Sequence, residues 1–286
     1  MTASETGPSE RPPSRRPLVA TVEQATRLTP RMVRVVLGGD DLREFSASEF
    51  SDHYVKLQLP PAGAPYGPPF DVEQIRAELP REQWPRTRTL TVRSWDAEQH
   101  RMTIDFVDHG DSGIVGPWAA SARPGDLIQV RGAGGGYTPD PSADWHLMIG
   151  DASVLPAIAA SLARVPANAL VHALIEVEDA GEELALETEG DLHLTWLRRG
   201  DRPGADDLLL EAVTALAFPE GRVHVFLHGE AEMVRGVRRH LVVDRGIAAE
   251  QMSASGYWKR SRTDEGWRED KAEWKRLVAE DERASR

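Results

Sequence analysis

The chain contains no cysteine. That absence excludes disulfides, thiolate nucleophiles, Cys-ligated zinc and Cys-ligated iron–sulfur clusters. No apolar run approaches the roughly 20 residues that span a bilayer. Positive charge is scarce: 34 lysines and arginines stand against 46 acidic residues, for a net charge of −12. Nucleic acid is therefore a poor partner, because its phosphates need a basic surface. Any anionic ligand must find a local basic patch. Residues 1–17 lack the apolar core of a signal peptide and read as a disordered tail, so a cytoplasmic location is expected. The nine histidines form no metal-ligand pattern. His224 and His228 lie four apart in a strand-like run, about 13 Å from each other if extended. No Ser/His/Asp order makes a triad, so no side chain is assigned as catalytic and none as a metal ligand.

What is present fits two ordinary domains. The 286 residues are 40% hydrophobic and 28% charged, as in a soluble globular protein. Short β-rich runs at 18–22, 32–37, 54–59, 87–95, 102–107 and 127–130 predict a small antiparallel barrel or sandwich. Residues 60–85 form a proline-rich insertion with one helix at 71–78. Beyond Pro139 and Pro141, apolar runs alternate with helical stretches, which implies a parallel sheet with helical crossovers. The expected divisions are 1–17 tail, 18–139 β-domain, 140–256 α/β domain, and 257–286 basic loop with a terminal helix. In that helix Trp267, Lys271, Trp274 and Val278 share one face, which should dock on the body.

Five segments carry the chemistry. In Arg86-Thr-Arg-Thr-Leu-Thr-Val-Arg93, strand alternation puts Arg86, Arg88, Leu90 and Val92 on one face. Guanidiniums suit phosphate oxygens, and the apolar positions suit a flat ring. FAD combines both. The run from Asp108 to Ala119 leaves a strand with Gly110, Gly113 and Gly116, and glycines let backbone N–H groups approach phosphate. Gly150-Asp-Ala-Ser-Val-Leu-Pro156 and His228-Gly-Glu230 end strands at one edge of the α/β sheet, where such sheets bind ligands. Ser255-Gly-Tyr-Trp-Lys-Arg-Ser-Arg262 sets two aromatics before three cations, an arrangement suited to a flat ring and an anionic substrate.

Taken in order, these segments resemble the siderophore-interacting proteins, flavin-dependent ferric-siderophore reductases of the ferredoxin-reductase superfamily. The resemblance spans about residues 18–283. It is carried by Tyr54-Val-Lys-Leu57, Glu78-Leu-Pro-Arg-Glu-Gln-Trp84 with Arg88-Thr-Leu-Thr-Val-Arg93, and His109-Gly-Asp-Ser-Gly113 with Gly116-Pro-Trp-Ala119. Gly150-Asp151 with Leu155-Pro-Ala-Ile158, His228-Gly-Glu-Ala231, and Ser255-Gly-Tyr-Trp-Lys-Arg260 with Gly266-Trp267 complete it. It implies an N-terminal antiparallel flavin-binding β-barrel, a C-terminal parallel-sheet NAD(P)-binding α/β domain and a terminal helix. It implies FAD as cofactor, NADH or NADPH as electron donor, and an anionic ferric siderophore as substrate. Arg88, Thr89, Leu90, Thr91 and Arg93 would meet the flavin. His109, Gly110, Ser112, Gly113, Gly116 and Trp118 would hold its diphosphate and adenine side. Gly150, Asp151, Ser153, Pro156, Gly229, Glu230, Tyr257 and Trp258 would line the nicotinamide cleft. Lys56, Lys259 and Arg260 would receive the siderophore. Three departures stand out: Leu90 where the family has a stacked tyrosine, Ile114-Val115 where its phosphate loop is small, and Ala152 in place of an acidic residue. They leave two further readings open, a non-catalytic siderophore- or nucleotide-binding protein and a flavin oxidoreductase acting on a small organic acceptor. A self-covered monomer is the expected state.

Overall fold

A computed structural model of the chain describes residues 17–110, 113–202 and 206–283. The expected tail, apart from Pro17, and Ser112 lie outside the described residues.

The first domain is a seven-stranded antiparallel sheet of β1 (Leu18–Thr29), β2 (Met32–Gly38), β3 (Tyr54–Leu59), β4 (Arg86–Thr91), β5 (Ser94–Asp96), β6 (Arg101–Val107) and β7 (Leu127–Gly134). The strand order is β4-β3-β7-β1-β2-β6-β5. Its two edge strands are consecutive in sequence, joined by Val92 and Arg93. Val92 N donates to His53 O on one side of that joint at 2.7 Å, and Arg93 N to Thr103 O on the other at 2.8 Å. The sheet thus closes into a barrel with its seam at Val92–Arg93. The single run expected at 87–95 is two strands because the chain changes partner there. The inward residues are β-branched or long aliphatics, including Val35, Leu37, Val55, Leu57, Ile104 and Val130. Helices α1 (Val72–Glu78) and α2 (Val115–Ser121) belong to the loops. Asp71 caps α1 by accepting from Glu73 N and Gln74 N.

The second domain is a five-stranded sheet of β8 (Trp145–Asp151), β9 (Leu170–Val177), β10 (Asp191–Arg198), β11 (Val223–Glu230) and β12 (Met252–Trp258), with α3 (Leu155–Leu162), α4 (Leu208–Ala215), α5 (Ala231–Arg239) and α6 (Asp264–Arg283). The order β10-β9-β8-β11-β12 is parallel throughout. Helices cover both faces, which is why β8 and β11 read as nearly unbroken apolar runs. On one face α3 packs on Met148, Ala173, Ile175 and Phe226. On the other, α4, α5 and α6 pack on Leu147, Ile149, Val225 and Leu227. Trp267 and Trp274 of α6 are buried there, and Trp274 Nε1 donates to Ala231 O at 2.9 Å.

The domains share a core. Met32 and Tyr137 pack into the α3 side of the second sheet. Thr29 Oγ1 donates to Glu182 Oε2 at 2.5 Å, and the Ser51 and Ser161 hydroxyls meet at 2.9 Å. The strand order reverses between β8 and β11, so the carboxyl ends of those strands flank the crevice in which open α/β sheets bind ligands.

Candidate functional site

The flavin side is built on β4 and the barrel seam. In the register of β3, Arg88 lies opposite Leu57 and Leu90 opposite Val55, so both share the apolar face of β3. Leu90 is half-buried against the barrel core. Thr91 is buried beside Tyr54, and Thr89 is exposed beside Lys56. Arg93 follows at the seam. Burial lowers its pKa and nearby Arg34 adds to this, while Asp105 and Glu187 oppose it. Asp105 is already committed to a bidentate pair with Arg34, both contacts at 2.7 Å. Among the described residues, neither Arg86 nor Arg93 has an ion pair. Arg88 is different: its Nη1 meets Glu265 Oε1 at 2.9 Å and Asp264 Oδ2 at 3.3 Å, both on the first turn of α6.

The glycine loop leaves β6 beside this strand. Gly110 and Gly113 adopt φ of +68° and +81°, conformations that glycine takes at no steric cost. Gly116 brings α2 against the strand end, where an added Cβ would lie 3.0 Å from Val107 O. Trp118 packs on Phe106, ring centroids 5.6 Å apart. Ile114 and Val115, which add bulk in sequence, turn onto the barrel core. The loop backbone beside exposed His109 is therefore not filled by their side chains.

The nucleotide side is organised by one carboxylate. Asp151, at the end of β8, accepts at Oδ1 from Ser153 N (2.9 Å) and Ser153 Oγ (2.5 Å). Its Oδ2 accepts from Glu230 N (2.8 Å) and Trp258 Nε1 (2.9 Å). Gly229, at φ +132°, has no room for a Cβ, which would lie 2.6 Å from Asp151 Oδ2. Gly150 is similarly tight, 2.7 Å from the Val154 side chain. Pro156 is buried in the first turn of α3. Glu230 caps α5 through Oε2, accepting from Glu232 N and Met233 N, and its Oε1 accepts from Arg260 N at 3.0 Å. Trp258 stays 39% exposed, with its ring held at Nε1 by Asp151. Burial pushes the Tyr257 phenol up, and the nearby Asp52, Asp151 and Tyr54 push it the same way. Tyr257 packs on the cluster that joins Met32 and Tyr137 to the second sheet, so it stands where the two domains meet. His228 packs on Phe226 and Tyr257, and burial lowers its pKa to about 3.

The cations expected to receive substrate divide into two groups. Lys259 Nζ is paired with Glu232 at 3.0 Å and Arg260 with Asp206. Arg260 borders a cavity of about 280 Å³ lined by four carboxylates, Asp206, Asp207, Glu230 and Glu232, and by Leu210, Met233 and Gly236. Lys56, by contrast, is exposed and has no ion pair among the described residues. Its cross-strand neighbour on β7 is Arg131, equally unpaired. Arg131 escaped sequence reasoning because only the barrel register brings it beside Lys56. The role of Asp151 as a hub was likewise invisible, since its partners lie at positions 153, 230 and 258.

The donor set suits FAD. Unpaired, partly desolvated Arg93, the open Arg86, the glycine loop and the apolar surface at Leu90 offer what a diphosphate and a flat ring need. The fold and site define a class: the two-domain FAD- and nucleotide-binding oxidoreductases of the ferredoxin-reductase type. Residues 21–137 match the siderophore-interacting FAD-binding domain, and residues 143–261 match the siderophore-interacting protein model. The chain belongs to the siderophore-interacting protein family. It is 43% identical to an uncharacterized protein of Mycobacterium bovis over 93% of this chain and 98% of that one. It is 32% identical to the ferric vibriobactin reductase ViuB of Vibrio cholerae, covering 85% of this chain and 90% of the relative. The crystal structure of a siderophore utilization protein from T. fusca superposes with a TM-score of 0.71 at 34% identity, covering 87% and 94% of the two chains.

Proposed function

We propose that this protein is an FAD-dependent reductase that takes electrons from NADH or NADPH and reduces the iron of an anionic ferric siderophore. The observation that carries the reading is the meeting of the two domains. Leu90 and Thr91 lead to the barrel seam at Arg93, and Tyr257, beside Trp258 on β12, packs on the core that joins Met32 and Tyr137 to the second sheet, with Asp52 and Tyr54 near it from the first domain and Asp151 from the second. FAD, when bound, accepts two electrons together and can release them singly.

The protein's own part is placement and electrostatics. Arg93 and Arg86 offset diphosphate charge, and the glycine loop lets the backbone approach it. Leu90 presents apolar surface to the ring system in place of aromatic stacking, a loss of about 1 kcal/mol of binding. Asp151 holds Ser153, Glu230 and Trp258 in one arrangement, so the nicotinamide cleft is set before a nucleotide arrives. Lys56 and Arg131 give the acidic molecule a local positive edge for an anionic chelate. Reduction weakens the hold of hard oxygen donors on iron, which frees the metal without a protein acid or base.

The test is to purify the protein, identify any released chromophore, and follow NADH and NADPH oxidation with a ferric siderophore and an iron(II)-trapping dye. FAD in the protein and nucleotide-dependent iron(II) formation are expected. Colourless protein that refuses added FAD but binds the ferric siderophore would replace the reductase with a binding protein. Turnover of quinones or dyes with no ferric chelate reduced would move the substrate to a small organic acceptor.

A further inference from the structure

The first turn of α6 reaches across the domain junction. Most of that helix is fastened to the second domain: Trp267 and Trp274 are buried, Lys271 Nζ donates to Gly256 O at 3.0 Å, and Arg235 and Arg238 pair with Asp281 and Glu282 at 2.6 Å. Its opening residues instead hold β4 of the first domain. Asp264 and Glu265 both contact the Arg88 guanidinium, and Arg268 Nη2 donates to Thr87 O at 2.6 Å. Arg268 also pairs with Asp264 at 2.7 Å. Two cations and two carboxylates thus form a closed, neutral group. The Arg88 side chain is only 15% exposed within it.

This arrangement bears on flavin binding, and the inference rests on the reading of β4 as the flavin strand. Arg86 and Arg93 flank Arg88 on that stretch and are open to an anion, whereas Nη1 and Nη2 of Arg88 are already turned to Thr87 O and the two carboxylates. A guanidinium holding two carboxylates has little left for a phosphate, because charge-assisted contacts of this kind are the strong ones. A carboxylate and a phosphate oxygen compete for the same donors. We infer that Asp264 and Glu265 are internal competitors for Arg88: they hold it away from the FAD diphosphate, and FAD affinity is set by the exchange of Arg88 between α6 and the cofactor. The helix that fastens the two domains together would then also control how readily the flavin is exchanged.

The experiment measures FAD binding to the full-length protein by quenching of flavin fluorescence, with no turnover involved. Asp264→Asn/Glu265→Gln keeps the shape of both side chains and removes both charges. It is expected to lower the Kd for FAD about tenfold. The gain should vanish when Arg88→Ala is added. Glu269→Gln, which removes one charge from the exposed face of the same helix, should leave the Kd unchanged. An unchanged or higher Kd in the Asn/Gln variant overturns the inference, and so does an equal gain in the Arg88→Ala background or in Glu269→Gln. FAD binding by neither the parent nor the variant, with both folded by circular dichroism, rejects the flavin site itself. That outcome is distinct from failure of the competition alone.

Discussion

The two walls of the domain junction treat charge in opposite ways. On the barrel side, Arg86 and Arg93 carry positive charge with no ion pair among the described residues. On the α/β side the charged groups are matched: Asp151 accepts four hydrogen bonds, Glu230 three, Lys259 is taken by Glu232 and Arg260 by Asp206. Arg199, just past the end of β10, is paired with Glu176. An unpaired, partly desolvated cation is an unfavourable state that a bound anion relieves. A saturated network is rigid and recognises by shape. The barrel wall is thus prepared for charge, and the α/β wall for a planar group against Trp258 and the glycine turns.

Acid should separate the walls most. Burial lowers His228 to about 3 and His146 to about 4, both in the second domain, and it also lowers His172 and His224. In the first domain His53 is lowered to about 4, again by burial. A folded histidine that resists protonation stabilises the fold fully above its unfolded pKa of about 6.5. As pH falls below 6.5 the unfolded chain takes up protons that the native site refuses, so stability drops until about pH 3 to 4. The slope reaches about 1.4 kcal/mol per pH unit for each such histidine. Urea titrations between pH 7 and pH 4 should show falling stability, with the second domain losing structure first by hydrogen exchange. Stability that is flat across this range, or a first domain that opens first, would break the contrast.

The next largest effect tests whether the α/β wall is a scaffold. Asp151→Ala strands the buried N–H of Glu230 and the indole N–H of Trp258. Losing such buried acceptors costs roughly 3 kcal/mol. Unfolding in urea should shift by about that amount, and nicotinamide nucleotide binding should be lost, while FAD affinity changes by less than about twofold. A parallel collapse of FAD binding would show that the two walls are one cooperative unit.

How much of this was legible follows the same division. The alternation of Met102, Ile104 and Phe106, the unbroken apolar runs of β8 and β11, and the Trp267/Trp274 face of α6 are local patterns, and the chain obeys them. The run at 87–95 misled as a single strand because the change of partner at Val92–Arg93 is a property of barrel closure. The cationic segment Lys259-Arg260 looked open because its carboxylate partners, Glu232 and Asp206, are remote in sequence. The hold of α6 on Arg88 spans more than 170 positions. No periodicity reports it. Local pattern determined the elements and the residue types of the site, but charge pairing is decided by topology, so sequence could show which charges exist and not which of them are spent.

Arg93 gives the smallest and most selective test. Its backbone N–H is held at the seam by Thr103 O, and its guanidinium is disfavoured there by burial and by Arg34. Removing it deletes a charge that the unliganded fold does not use. Arg93→Ala should therefore leave the urea midpoint of the flavin-free protein unchanged or raise it. The same substitution should weaken FAD about tenfold, near 1.4 kcal/mol, because the diphosphate loses one of its open partners. The loss should shrink at high salt, where an exposed part of the attraction is screened. A drop in stability without flavin would mean that Arg93 is structurally paired, and the barrel wall would then resemble the α/β wall. A stability that holds while FAD binding weakens separates the two walls, since on the α/β side every comparable substitution must disturb the fold before it disturbs the ligand.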